Sequence, residues 1–294
     1  MKSCTARLRR VMLAALVGGG AVGCGGETAP PPPDDGNIPV RSGSVTIMGT
    51  LDKPATPGPY PVMVFVPGSG RTTREADQPA VDLAVPQGVA VFRYDKRGLG
   101  QSTGLFEEVT VANSDRVLND RAADVAAIVE YLATRPDIRA DRIFLWGTSQ
   151  GAWVAPLVAG KTSRLAFIIA LSGGGSSVGT SDHYDELTDD PSVTVAQATA
   201  QLAAFPGPFG YDPEPTLRGL TLPVLWIFGG LDRSNPSYFD STTVDRVRGD
   251  FGRDFTIALF PRMNHDLIDV DTGVFPADLF PTVFAWVIQQ FGAL

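Results

Sequence analysis

From residue 44 onward, short apolar and β-branched runs alternate with longer stretches of helical periodicity, and no repeat period interrupts them. Segments 44–51, 61–66, 89–94, 142–146, 165–171, 224–228 and 255–260 read as strands. Several are apolar at almost every position, as strands buried on both faces are. Between them, 114–134 places Leu118, Ala122, Val125, Ile128 and Leu132 on one stripe with Ser114 as N-cap, and 152–159, 244–248 and 276–291 read as further helices. This alternation predicts an α/β fold, a mostly parallel sheet with helices on both faces. Residues 173–220 break it. They are rich in Ser, Asp, Pro and Gly with one weak helical patch at 194–204, and read as a small cap insertion over the sheet. Within them Asp182, Asp185, Glu186, Asp189 and Asp190 read as a solvated face.

The apolar run Ile143, Phe144, Leu145, Trp146 leads directly into Gly147-Thr148-Ser149-Gln150-Gly151 and then into a helical run from Ala152. This is G-x-S-x-G in a strand, turn and helix context, where a sharp turn presents the serine hydroxyl and the flanking glycines leave room for it. A serine hydroxyl needs a base, and the chain has two histidines. His265 follows the last predicted strand, whereas His183 lies inside the acidic insertion and reads as a loop residue. The order serine, acid, histidine favours His265 as the base. The acid is expected after the strand preceding that histidine. There 224–228 runs into Gly229-Gly230-Leu231-Asp232, which makes Asp232 the choice, with Asp240 and Asp266 as fallbacks. Donors for an oxyanion are expected from the Pro67-Gly68-Ser69-Gly70 loop, at Ser69, and from the N–H of Gln150 directly after the nucleophile.

These segments, in this order, resemble the α/β-hydrolase superfamily, in particular bacterial esterases with Tyr-Asp-Lys-Arg-Gly after the fourth strand. Here that stretch is Phe92-Arg93-Tyr94-Asp95-Lys96-Arg97-Gly98, and the resemblance extends over residues 44 to 292. It implies Ser149, Asp232 and His265 as a catalytic triad, with Ser69 and Gln150 as oxyanion donors. Pro67 stands where many relatives have His, and Asp95 and Arg97 are expected to tie the loop beneath the site rather than to react.

Residues 1–23 read as an export signal, with Lys2, Arg7, Arg9 and Arg10 followed by small or apolar residues up to Ala21-Val22-Gly23 before Cys24. That ending resembles the lipobox of bacterial lipoproteins, which implies lipidation at Cys24 and a membrane-attached protein of the cell envelope, on its periplasmic or surface face. Residues 24–43, rich in Gly and Pro, read as a tether, and 44–294 as the folded domain. With 24 Lys and Arg against 32 Asp and Glu, the chain has no cationic excess to neutralise a phosphate backbone, which argues against nucleic-acid binding. Two cysteines and two histidines are too few for a structural zinc site. The expectation is therefore a lipid-anchored serine esterase, without metal or cofactor, acting on a small-molecule ester. The alternatives are a peptidase or amidase of the same fold and a non-catalytic ligand-binding lipoprotein.

Overall fold

The computed structural model describes residues 36–292. Cys24, the signal and most of the tether lie outside the described residues. Eight strands form one sheet in the order β1-β2-β4-β3-β5-β6-β7-β8. They are β1 (Ile38–Ser42), β2 (Val45–Asp52), β3 (Tyr60–Val66), β4 (Ala90–Tyr94), β5 (Ile138–Thr148), β6 (Leu165–Leu171), β7 (Val224–Gly229) and β8 (Phe255–Phe260). The pairs β1–β2 and β2–β4 are antiparallel, and every other neighbouring pair is parallel.

The central strands carry apolar side chains on both faces because each face meets helices. Val62, Val64, Ile143, Leu145, Ile168, Val224 and Trp226 pack into one cluster, together with α2 (Ser114–Ala133), α3 (Gly151–Ala159) and α7 (Ser237–Phe251). Their alternating neighbours Met63, Phe144, Trp146, Ile169, Leu225 and Ile227 pack into the other, with α1 (Gln78–Ala84) and α8 (Leu279–Phe291). The period of two along each strand thus feeds two cores. Fully burying one such Val, Leu, Ile or Phe side chain contributes about 1.5–3 kcal/mol.

Four differences from the sequence expectations have physical causes. Strand β1 falls within the last residues of the expected tether. Ile38 and Val40 are buried and alternate with exposed Pro39 and Arg41, a pattern masked by the preceding proline run. Helix α1 was not expected, being short and buried only through Ala80, Val81 and Ala84. Helix α2 begins at Ser114, but its N-cap is Asn113. The Ser114 hydroxyl instead donates to the Val111 carbonyl and accepts from the Tyr211 amide, which fastens the insertion to the sheet's helix layer. The insertion itself folds as α4 (Val178–Asp189), α5 (Val195–Leu202) and α6 (Glu214–Gly219). In α4 the buried positions include Val178, Ser181, Tyr184 and Thr188, at helical spacing but mostly polar, so hydrophobic periodicity could not reveal them.

The connection from β3 goes to β4 on one side, and β5 then pairs with β3 on the other. Strand order therefore reverses between β3 and β5. In an open α/β sheet, the crevice outside the carboxyl ends of such a strand pair is where ligands bind. The Gly68–Gly70 loop and Ser149 follow those two ends.

Candidate active site

Strand β5 ends at Thr148 and α3 begins at Gly151, so Ser149 and Gln150 make the whole turn. Ser149 sits at φ +54°. For a serine this left-handed conformation costs on the order of 1 kcal/mol or more, and it persists where the surroundings impose it. The Ser149 amide donates to the Leu171 carbonyl at the end of β6 at 2.8 Å. A Cβ on Gly147 would collide with the Gly151 carbonyl, and one on Gly151 with the Val66 carbonyl, so both flanking glycines are required by close backbone approach.

Asp232 lies just past β7 and is fully buried. Its Oδ1 accepts the amides of Ser234 and Asn235, each at 2.8 Å. His265, on the loop after β8, brings Nδ1 to 2.9 Å from Asp232 Oδ2 and 3.1 Å from Oδ1. Facing a carboxylate, Nδ1 holds the proton of neutral imidazole and leaves Nε2 as an acceptor. Burial opposes a charged ring, but the hydrogen bond and negative charge of Asp232 outweigh it and hold His265 above its ordinary value of 6.5.

Further bonds join these loops. Ser172, at φ +55°, donates its hydroxyl to the His265 carbonyl at 3.1 Å. Asn235 Nδ2 donates to the Ser172 carbonyl at 2.8 Å, and Asn235 Oδ1 accepts from Ser181 of α4 at 2.6 Å. Sequence reading missed Asn235 and Ser172. The only signal for the first was its place three residues after Asp232.

Lys96 is the other missed residue. It is 3% exposed, and its ammonium donates to the carbonyls of Gly68 at 2.5 Å, Gly70 at 2.8 Å and Ser69 at 3.3 Å. Because these peptides are planar and trans, the amides of Ser69, Gly70 and Arg71 point away from Lys96. Gly68 lies against Ser149, since a Cβ there would stand 3.2 Å from the serine Cβ. Gln150 is the N-cap of α3, where helix amides have no intrahelical acceptor. Both expected donor positions, Ser69 and Gln150, are thus beside Ser149.

The remaining candidates take other places. His183 is on helix α4 rather than in a loop, stacked on Phe205 with ring centroids 4.5 Å apart. Asp240 is fully buried within α7 and bonds to neither histidine, and Asp266 is exposed. Asp95 accepts the amides of Arg74 and Gln101, and Arg97 makes a paired contact to Asp124 at 2.7 and 2.8 Å. Both therefore hold the loop after β4. A cavity of about 610 Å³ opens beside the site, lined by Thr148 and His265 together with Phe65, Leu83, Trp146 and Leu267. Among the described residues, no group of His, Cys, Asp or Glu is arranged to hold a metal ion, and no helix is long and apolar enough to cross a membrane.

A family described as serine aminopeptidase, S33, matches residues 58–182, the part that holds the Gly68 loop and the Ser149 turn. No curated protein sequence matches the chain. Among solved structures, an esterase from Pyrococcus furiosus is similar with a TM-score of 0.65 at 16% identity, over 87% of this chain and 90% of that one. A proline iminopeptidase from Mycobacterium smegmatis has a TM-score of 0.61 at 16% identity, over 86% of this chain and 98% of that one. An alpha/beta hydrolase from a Penicillium species gives 0.61 at 15% identity, over 86% and 98%. The chain has the α/β-hydrolase fold. In this α/β-hydrolase fold Ser149, Asp232 and His265 all stand on loops at the carboxyl ends of parallel strands, at one edge of the sheet. At these identities the likeness concerns the fold, and the chemistry rests on the residues themselves.

Proposed function

We propose that the protein is a serine hydrolase that cleaves carboxylic esters through an acyl-enzyme. Ser149 is the nucleophile, His265 the general base and then acid, and Asp232 the group that orients the imidazole. The observation that carries this reading is the approach of both Asp232 oxygens to His265 Nδ1, on loops at the same carboxyl ends of the parallel strands as a serine in a left-handed strand-to-helix turn. His265 Nε2 takes the hydroxyl proton as Ser149 Oγ attacks the ester carbonyl. The imidazolium faces the buried carboxylate and returns its proton to the departing alkoxide. Water then attacks the acyl-enzyme with His265 again as base, releasing the acid and Ser149. The amides of Ser69 and Gln150 are the donors for the oxyanion of both tetrahedral intermediates.

One observation favours a second reading, an aminopeptidase or amidase. Asp185 of α4 is exposed and close enough to His265 for their charges to interact, so it could hold a substrate's ammonium group. The same test separates the two readings. A fluorophosphonate probe is expected to label the protein and not Ser149→Ala, with p-nitrophenyl esters turned over faster than aminoacyl amides. Labelling of Ser149→Ala would overturn the nucleophile, and a preference for the amides would replace the esterase by the amidase.

We infer also that lipid chains on Cys24 hold the protein at the cell envelope. Each buried CH₂ contributes about 0.8 kcal/mol to anchoring, so Cys24→Ala expressed with its leader is expected to shift from the membrane to the soluble fraction. Unchanged retention would remove this anchor.

A further inference from the structure

The cavity beside His265 is walled by the sheet through Phe65 and Trp146, by α1 through Leu83 and by α8 through Phe280. Thr148, which precedes Ser149 in the chain, and His265 itself stand on the same wall, so the space borders the triad. At about 610 Å³ it is within the usual size range of small-molecule sites. No lysine or arginine lines it, and its only ionisable groups besides His265 are the carboxylates of Asp77, Asp82 and Asp266. Such a wall suits an uncharged apolar group and opposes an anionic one.

One further wall residue, Leu267, is held in an unusual way. Its φ is +65°, and among the described residues only Ser149 and Ser172, both in the loops of the site, share this left-handed conformation without being glycine. For a bulky residue such a backbone is an outlier that persists where the surroundings impose it. Here the turn after β8 does so. The Asn264 side-chain oxygen accepts the amides of Asp266 and Ile268 at 3.0 and 2.9 Å. The Asn264 amide donates to the Ile268 carbonyl at 2.9 Å, and the Leu267 amide to the Asn264 carbonyl at 3.2 Å. These bonds span His265, so the turn that carries the base also fixes Leu267 two residues on. Glycine would satisfy this backbone without strain. Leucine adds a side chain, which is half-buried against the core containing Met63 and Trp146 and lines the cavity.

We propose that Leu267 is a specificity-determining residue whose side chain bounds the space for the substrate's apolar group. The substrate class is an uncharged ester with an alkyl chain several carbons long, favoured over acetates of small alcohols and over esters of anionic acids. This rests on the serine-hydrolase reading above, because the cavity matters to catalysis only if His265 is the base. A chain lying in the cavity is withdrawn from water, and each CH₂ buried there raises kcat/KM by up to about fourfold. Leu267 would meet that chain rather than the reacting bond, so its size should set which length fits.

The test is a chain-length profile. At pH 8, kcat/KM is measured for p-nitrophenyl esters from acetate to decanoate, which lengthen the acyl side, and for ethyl to octyl acetates, which lengthen the alcohol side. The p-nitrophenyl monoester of succinic acid supplies an anionic acyl group. In one of the two series the wild-type protein is expected to gain about tenfold or more between the shortest chain and its optimum, and to turn over the succinate more slowly than the butyrate. Leu267→Gly, which suits the turn and removes the wall, should move that optimum to longer chains. Leu267→Phe, which crowds the space, should move it to shorter ones. A purely structural Leu267 would change stability, or all rates together, and leave the profile in place. A profile unchanged in both variants or shifted the other way, a wild type indifferent to length in both series, or a preference for the succinate overturns the proposal. If Leu267→Phe does not fold, an unchanged profile in Leu267→Gly has the same force. Absence of both ester turnover and fluorophosphonate labelling would instead sink the hydrolase reading. Calorimetric binding of 1-octanol to the wild type and to Leu267→Phe or Leu267→Gly would then decide Leu267, with equal affinities counting against it.

Discussion

The phenol of Tyr184 donates to the backbone carbonyl of Asp232 at 2.8 Å, so the cap insertion supports the acid loop directly. Two turns of α4 contribute. Ser181 bonds Asn235, and Thr188 donates to the Arg233 carbonyl while the Arg233 guanidinium reaches back to the carbonyls of Thr188, Asp190 and Val193. Tyr184 is fully buried, and burial raises its hydroxyl so that it stays protonated and able to donate. The insertion is therefore part of what holds Asp232 against His265.

Tyr184→Phe removes that donor and keeps the ring. The Asp232 carbonyl is left buried and unbonded, which costs about 1–3 kcal/mol of stability. A several-fold fall in kcat on a short ester should accompany the lower melting temperature as the acid loop loosens. If both measurements match the wild type, the cap and the triad are independent.

The pH profile follows from the His265–Asp232 contact. Neutral imidazole is the active base, so activity falls as pH drops through the histidine's pKa. Because that pKa is raised, the acid limb of kcat/KM should have its midpoint above 6.5. Asp232→Asn removes the anion that raises it and favours the wrong tautomer. Turnover should then fall by about three to four orders of magnitude, with the residual activity's midpoint moved down. A midpoint unmoved by Asp232→Asn would mean that the measured limb belongs to another group.

Much of this arrangement is legible in the chain. The buried strands announce themselves as continuous apolar runs, and the Ser149 turn is marked by two glycines whose absent side chains the backbone needs. Asp232 and His265 follow from the order of the strands. What stayed hidden is carried by polar residues in long-range contacts. Tyr184 and Ser181 sit on a helix whose buried stripe is polar, Lys96 looks like one more surface cation between Asp95 and Arg97, and β1 hides behind a proline run. Such roles depend on partners far away in sequence, as with Lys96 and Gly68 at a separation of 28, and no local period encodes them.

Lys96→Met tests the loop it holds. Methionine fills similar volume without donors, so the carbonyls of Gly68, Ser69 and Gly70 lose their common partner and the opposite amides lose their fixed aim. Stabilisation of a developing oxyanion is a transition-state effect, so kcat should fall by about tenfold to a hundredfold with little change in KM. Lys96→Arg, which still donates, should recover part of the loss. A rise in KM with kcat unchanged would assign Lys96 to substrate binding instead.

Asp240 offers a test of stability rather than chemistry. It is fully buried in α7, with Ser176 and Gly175 beside it but no well-aligned hydrogen bond to either oxygen, and burial pushes its carboxyl up to about 7. The folded chain therefore keeps this proton over a range, from about 4 to 7, in which the unfolded chain has released it. Stability contributed by the group is present at acid pH and lost as pH rises through 7, the reverse of an ion-paired aspartate. Asp240→Asn keeps the shape and removes the charge. Near pH 3.5, below the unfolded value, the variant should match the wild type in urea-unfolding free energy, and at pH 8 it should be more stable, by a few kcal/mol at most. Asp77 and His265, both also raised, tilt the wild-type curve in the same direction, so the quantity to compare is the difference between the two proteins at each pH. Parallel curves from pH 3.5 to 8 would show that Asp240 does not titrate between its folded and unfolded states.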